Sequence, residues 1–413
     1  MDRQMVVFFA LAVAGVARCG GIGLPPLVGD GVADDTAAIQ ARLDSGVSCV
    51  YLPPPAKCYR ISKSLRIGSD TELRLDRFTR VLLAPSSDCL MLVNRDAERG
   101  GDLNVAVTGG IWDFDNLRQG ANPGWRHKCN PPQPRLVYAG WSPTNYLGAI
   151  MRFWNVSNVC VRGVTFRNPV TYCCQFAGAT DVVVDDIRFD FTTWNPIRGN
   201  MDGIHFDGHC HRLRLTNLRG TCFDDMVALN ADDGWCSPEG GEISDVTIDG
   251  VYADYCHSGV RILSAPHPCR RITIRNVHGR FYTYAVGFTH YFPKRLRGTI
   301  EDVVIENVFA EKSLSPEELG VYSRKDYPLI WFEGPLDVGN VTIRNYVRDE
   351  KTLPIASILV DKPAAVRHLT VRDGRMVNGL KENIPFIENR GKIGKLTVEN
   401  IEYIPSEAVW SNR

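Results

Sequence analysis

Three aspartates, a histidine and an arginine are the residues of this chain whose types and spacing could do chemistry. They fall in three segments: Asn200-Met201-Asp202-Gly203-Ile204-His205, Phe223-Asp224-Asp225-Met226-Val227-Ala228 and His257-Ser258-Gly259-Val260-Arg261-Ile262. Laid one upon another in that order, they set Asp202 beside Asp224, with Asp225 adjacent and His257 and Arg261 one step further on. Three carboxylates on one patch repel, so at least one keeps its proton to higher pH. An acid beside an ionised partner is the division of labour that glycosidic bond cleavage requires. His205 shares a column with Arg261 and is a candidate substrate contact. So is His290, beyond the next segment Tyr284-Ala285-Val286-Gly287-Phe288. Taken singly, each feature has a plainer reading, because Asp-Gly and Asp-Asp are common turn sequences. Their coincidence in adjacent segments is what favours a site. The geometry carries one condition. Successive strand residues face opposite sides, so Asp224 and Asp225 both reach a cleft only at a bulge or a strand start.

The elements that must position these residues are announced by a recurring pattern, apolar-x-apolar-x-x-apolar. It reads Val159-Val161-Val164, Val182-Val184-Ile187, Leu213-Leu215-Leu218, Val246-Ile248-Val251 and Ile272-Ile274-Val277, and continues to Leu396-Val398-Ile401. Successive units begin 23 to 38 residues apart, within the range of solenoid repeats. Each unit alternates with period two and is rich in β-branched residues, as a strand requires. No helical stretch separates them. The fold expected is all-β: a right-handed parallel β-helix of about ten rungs, with an outer face that offers an extended binding surface. At Gly29–Gln40 a Gly/Asp-rich turn runs into a short amphipathic helix, with Asp34, Asp35 or Thr36 able to cap it. That helix would plug the open N-terminal end. The pattern breaks at Asn116–Leu147, which carries Trp125-Arg126-His127-Lys128, and again at Leu314–Pro328. The first break reads as a loop walling a cleft or as an excursion.

Composition narrows the function classes. Lys+Arg and Asp+Glu are both 47 in 413 residues, so no basic excess points to nucleic acid or an anionic membrane. The apolar run Met5–Val16 is too short to span a bilayer and reads as a secretory signal ending at Ala17. Residues 18–413 then form a single exported domain. The 13 cysteines leave buried thiols and disulfides both open. Cys222 and Cys256 occupy matching positions of neighbouring units. None shows zinc-ligand spacing, and no metal or organic cofactor is expected.

Asn200-Met201-Asp202-Gly203, Asp224-Asp225 and the His257 segment resemble the signature of glycoside hydrolase family 28, the polygalacturonase family of the pectin-lyase-like β-helix superfamily. Gly29–Gln40 is similar to the N-terminal segment of that superfamily. The resemblance implies that Asp224 is the general acid and that Asp202 and Asp225 hold the attacking water, giving inversion. It departs from the family twice. Gly-His-Gly is Cys256-His257-Ser258-Gly259, and the alignment above puts Ser258 at the histidine position unless the strand shifts by one. The Arg-x-Lys that grips the galacturonate carboxylate falls on Gly287 and Thr289, with Arg261, His290, Arg126 or Lys128 as possible substitutes. The partner expected is therefore an α-linked, acidic but substituted or branched polysaccharide or oligosaccharide. A polysaccharide lyase on the same scaffold and a non-catalytic glycan-binding solenoid are the alternatives. Trp194, Trp235, Tyr255, Tyr282, Tyr284 and Tyr291 flank the site segments as sugar platforms or as packing.

Overall fold

A computed structural model describes residues 23–120, 142–195, 199–231, 240–291, 296–316 and 327–405. Its strands pair in parallel, each coil upon the next, and the chain is a right-handed parallel β-helix. The repeated pattern sets the register. Val182 pairs with Leu213, Leu213 with Val246, Val246 with Ile272 and Ile272 with Val303. All five are buried in one continuous core. Burying an aliphatic side chain of this kind stabilises by about 1.5–3 kcal/mol. A slip of one residue would turn every one of them to solvent.

The two spacer residues inside the pattern make the corner. The second of them takes positive φ in coil after coil: Asp186, Asn217, Gly250, Asn276, Asn307, Asn345, Asp373 and Asn400. Glycine, asparagine and aspartate are the residues that tolerate this left-handed conformation. Their side chains also bond from coil to coil. Asn276 donates to Asp249 at 2.6 Å, Asn307 to Asn276 at 2.9 Å and Asn345 to Asn307 at 2.7 Å. Long strands such as Ile204–Thr221 and Ile243–Cys256 bend through these corners without losing register.

A second set of strands forms the face that carries the chemistry: Met151–Trp154, the start of Cys174–Asp190, the start of Ile204–Thr221, then Asp225–Asn230, Ser258–Leu263, Val286–Thr289, Ile330–Phe332 and Ile358–Val360. Their outward column runs Arg152, Gln175, His205, Ala228, Arg261, Gly287, Trp331, Leu359. An outward column would ordinarily meet water. Here every member is buried.

The helix Thr36–Leu43 buries Ala38, Ile39 and Leu43 at the N-terminal end. Asp34, not Asp35, accepts the Thr36 N–H, at 3.0 Å. Asp35 is turned back to the Val28 N–H at 2.7 Å. At the other end Leu396 and Val398, core-facing by pattern, are half exposed. Cys173, Cys174, Cys210, Cys222 and Cys256 are buried thiols. Cys222 and Cys256 do meet across neighbouring coils, where the Cys222 N–H donates to Cys256 Sγ at 3.2 Å. Residues 1–17, Arg126, Lys128 and Trp235 lie outside the described residues. No helix among the described residues is long and apolar enough to cross a membrane.

Candidate active site

Local backbone chemistry explains where the carboxylates stand. Asn200 adopts positive φ, turning the chain into the coil. A Cβ on Gly203 would fall 2.5 Å from the Met226 carbonyl and 2.6 Å from the Phe189 ring, so only glycine lets the two coils close here. Asp225 opens the strand Asp225–Asn230, and Asp224 sits in the turn before it. This is the strand start that the alternation argument demanded.

The register differs by one residue from the sequence alignment. Ile204 pairs with Val227 and Phe206 with Leu229, so Asp202 stands opposite Asp225 rather than Asp224. Asp225 in turn pairs with Ser258. The cause is the core: Val227 and Leu229 continue the inward column of Ile204 and Phe206, whereas the alignment would have put Met226 and Ala228 there. The shift also restores His257 to a place beside Asp224, with Nδ1 3.4 Å from its Oδ1.

The three carboxylates live in different surroundings. Asp224 is at the mouth, its side chain 20% exposed, with Oδ2 accepting the Asn200 N–H at 2.8 Å. Burial raises its carboxyl above the ordinary value, an effect that His257 opposes and Asp225 reinforces. Asp225 is buried and held on several sides. Ser258 and Tyr284 donate hydroxyls to its Oδ1, the latter at 3.2 Å, and Arg261 Nε lies 2.8 Å from Oδ2. Asp202 is as deeply buried as Asp225. Loss of water, then the Asp224 charge, pushes it up to about 7. Two carboxylate oxygens, Asp202 Oδ1 and Asp225 Oδ2, are buried and receive no directed hydrogen bond among the described residues. Arg261 approaches Asp225 Oδ2 as an ion pair without aiming its N–H at it.

His205 corrects the expectation of a substrate contact. Its side chain is fully buried, and Tyr172 stacks on the ring at 3.8 Å. Nδ1 lies 2.8 Å from Asp202 Oδ2, and Nε2 lies 3.0 Å from the Asn230 amide and 3.4 Å from Asp207 Oδ1. Burial alone would depress the imidazole. The Asp207 charge and the bonds to Asp202 and Asp207 outweigh it and hold the ring protonated up to about 10. Behind it, Gln175 donates to Asp207 at 2.5 Å and Arg152 to Gln175 at 2.7 Å. Sequence reasoning missed this buried chain because Gln175 and Asp207 carry no motif. Asn230 belongs to it as well.

His290, expected as a substrate contact, is buried, with Nε2 2.9 Å from the Leu296 carbonyl. Arg261 sits 5.8 Å from the centre of the Tyr291 ring. Of the other aromatics, Trp194 stacks on Phe223 at 3.9 Å, Tyr255 packs on Tyr282, and Tyr282 and Tyr284 are buried. Tyr291, at 38%, is the most exposed of those described.

Asp224, Asp225 and His257 each offer a ligand atom within 4.8 Å of the others. A hard divalent cation prefers oxygen ligands and usually more of them. The cluster has the donors for a cation, although Arg261 already neutralises one of its carboxylates.

No family model matches the chain, and no curated protein matches it. Solved structures do resemble it. PfbA, a surface adhesin of Streptococcus pneumoniae, aligns over 92% of this chain and 89% of its own at 16% identity and TM-score 0.60. A hyperthermoactive exopolygalacturonase from Thermotoga maritima aligns over 91% and 89% at 15% identity and TM-score 0.59. An endo-xylogalacturonan hydrolase from Aspergillus tubingensis aligns over 89% and 99% at 14% identity and TM-score 0.55. An adhesin and two hydrolases share one scaffold, so the likeness shows the parallel β-helix fold and leaves the reaction to the residues of the site.

Proposed function

We propose that this chain is an exported glycoside hydrolase that cleaves an α-linked, acidic and substituted glycan by single displacement. The observation that carries the reading is the pair of buried oxygens, Asp202 Oδ1 and Asp225 Oδ2, on facing residues of consecutive coils. A buried carboxylate oxygen without a directed donor is costly, and a water set between the two would offer one proton to each. Asp224 is the carboxyl at the mouth and the one able to reach a glycosidic oxygen, so it is the acid. Asp202 is the base. Poised near neutrality by burial, it accepts a proton from water efficiently near pH 7, and the His205 imidazolium steadies the charge that it carries before the transfer. The oxygens of Asp224 and Asp225 approach within 4.8 Å, closer than the roughly 6.5–9.5 Å of most inverting pairs. Displacement by water is nevertheless favoured over a covalent intermediate. Asp225 is held by Arg261, Ser258 and Tyr284, and Asp202 by His205, so neither swings to a sugar carbon. A reducing-end screen over pectic, animal and algal glycans tests the proposal; new reducing ends that vanish in Asp224→Asn support it, and their absence from every glycan removes it.

The cation-compatible spacing of Asp224, Asp225 and His257 favours a second reading, a lyase. That reaction needs a base to remove a sugar proton. Arg261, the residue placed for it, is ion-paired with Asp225 and never gives up its proton under ordinary conditions. Loss of activity with chelator and absorbance from an unsaturated uronate would mark the lyase.

A further inference from the structure

The column of outward residues that carries the site is covered by protein on both sides of the carboxylates. On the N-terminal side a small apolar cluster outside the coil, including Val93, Leu147, Trp154 and Tyr172, lies over the outward face. It reaches the site directly, because Tyr172 stacks on His205 and His205 bonds Asp202. On the C-terminal side Tyr284, Trp331 and Leu359 form a second cluster outside the main core, with Tyr327 packed against it. It too reaches the site, through the Tyr284 hydroxyl on Asp225 at 3.2 Å. The first wall therefore reaches a carboxylate through one residue and the second touches one directly. Strands are about 4.8 Å apart, and the space between the strand of His205 and that of Trp331 is four such steps, about 19 Å. The two walls occupy both ends of it. Between them Asp224 keeps 20%, His257 17% and Arg261 11% side-chain exposure, and Tyr291 is 38% exposed.

A groove that accepts the interior of a polysaccharide must run open past the catalytic groups in both directions. Among the described residues, this one meets an apolar cluster in both. We propose that the site is a blind pocket which takes only the end of a glycan chain, so that the chain is exo-acting and releases a terminal mono- or disaccharide. The inference rests on the hydrolase reading above and adds the mode of attack to it. The step itself consumes one water per bond: the glycosidic oxygen leaves with the proton of Asp224, and the water's hydroxyl joins the terminal sugar while its other proton passes to Asp202.

The test follows viscosity and reducing ends together, with products sized by mass, as the full chain acts on polygalacturonan and xylogalacturonan. The pocket predicts one small product from the earliest time point and viscosity that barely falls while reducing ends accumulate. A rapid fall in viscosity with a ladder of intermediate sizes overturns the pocket and leaves the hydrolase reading standing. No reducing ends from any glycan of the wider screen overturns both. Two variants probe the C-terminal wall, Trp331→Ala and the milder Leu359→Ala. Opening the wall should let intermediate-length products appear in either variant that folds, with terminal release within about tenfold of the parent. Product sizes unchanged in both remove that cluster as the wall.

Discussion

Two outer faces of the same coil treat charge in opposite ways. On the long strands, arginines and aspartates pair across coils in the open. Arg212 meets Asp181 and Arg271 meets Asp245, each at 2.6 Å, with all four side chains between 44% and 59% exposed. On the short strands, Asp202, His205, Asp225 and Arg261 are paired at similar distances but sit under loops and aromatic rings. Water screens the first set, so its ion pairs do little more than keep the surface soluble and the coils in step. The second set lacks that screening. Burial pushes Asp202 up to about 7 and the carboxylates around His205 hold it protonated up to about 10, and removal of any member leaves a neighbour buried without its partner. Covering one face and leaving the other bare is how a uniform coil acquires a reactive patch.

Substitutions can break that comparison, beginning with the largest effect. Asp224→Asn should lower hydrolysis by about 10²–10⁴-fold, the usual worth of a positioned acid, while the circular dichroism spectrum and melting temperature stay close to the parent's. Arg261→Met should act on stability instead. It leaves Asp225 buried beside Asp202 without a cation, and breaking a buried pair costs about 3–5 kcal/mol, to be read from urea unfolding; a midpoint equal to the parent's would show that the covered face is not what makes the pair matter.

His205→Gln should move a pH dependence. Taking away the imidazolium removes a charge that lowers the Asp202 pKa, so the limb of the activity profile near pH 7 should shift upward. Stability carries the second signature. His205 holds its proton up to about 10 when folded, against 6.5 unperturbed, so its contribution is complete below about pH 6.5 and lost as pH climbs towards 10. That decline should be missing from the variant. The smallest effect belongs to the exposed face, where Arg212→Ala and Arg271→Ala should leave the melting temperature and activity unchanged within scatter.

Much of this was legible because it is periodic or local. The apolar pattern announced the coil, its columns and the continuous core. The coincidence of Asp202, Asp224-Asp225 and His257 in adjacent segments announced the candidate site. The one-residue error of register arose where the alternation is weakest. In Phe223–Ala228 both Met226 and Val227 are apolar, and only the need to stack Val227 and Leu229 under Val260 and Ile262 decides between them. The fates of His205 and His290 were not legible either. Whether His205 meets sugar or is sealed depends on Tyr172, far away in sequence and folded over it, while His290 is taken up by the nearby Leu296 carbonyl. Long-range cover of this kind leaves no local pattern.

The most direct test of the central claim, that water held between Asp202 and Asp225 does the displacement while Asp224 protonates, is the anomeric form of the first product. Proton nuclear magnetic resonance of a fresh digest should show the β anomer released from an α linkage before mutarotation sets in. An α anomer would mean that a carboxylate attacked the sugar, and an unsaturated product would mean that water was never the nucleophile; either contradicts the account.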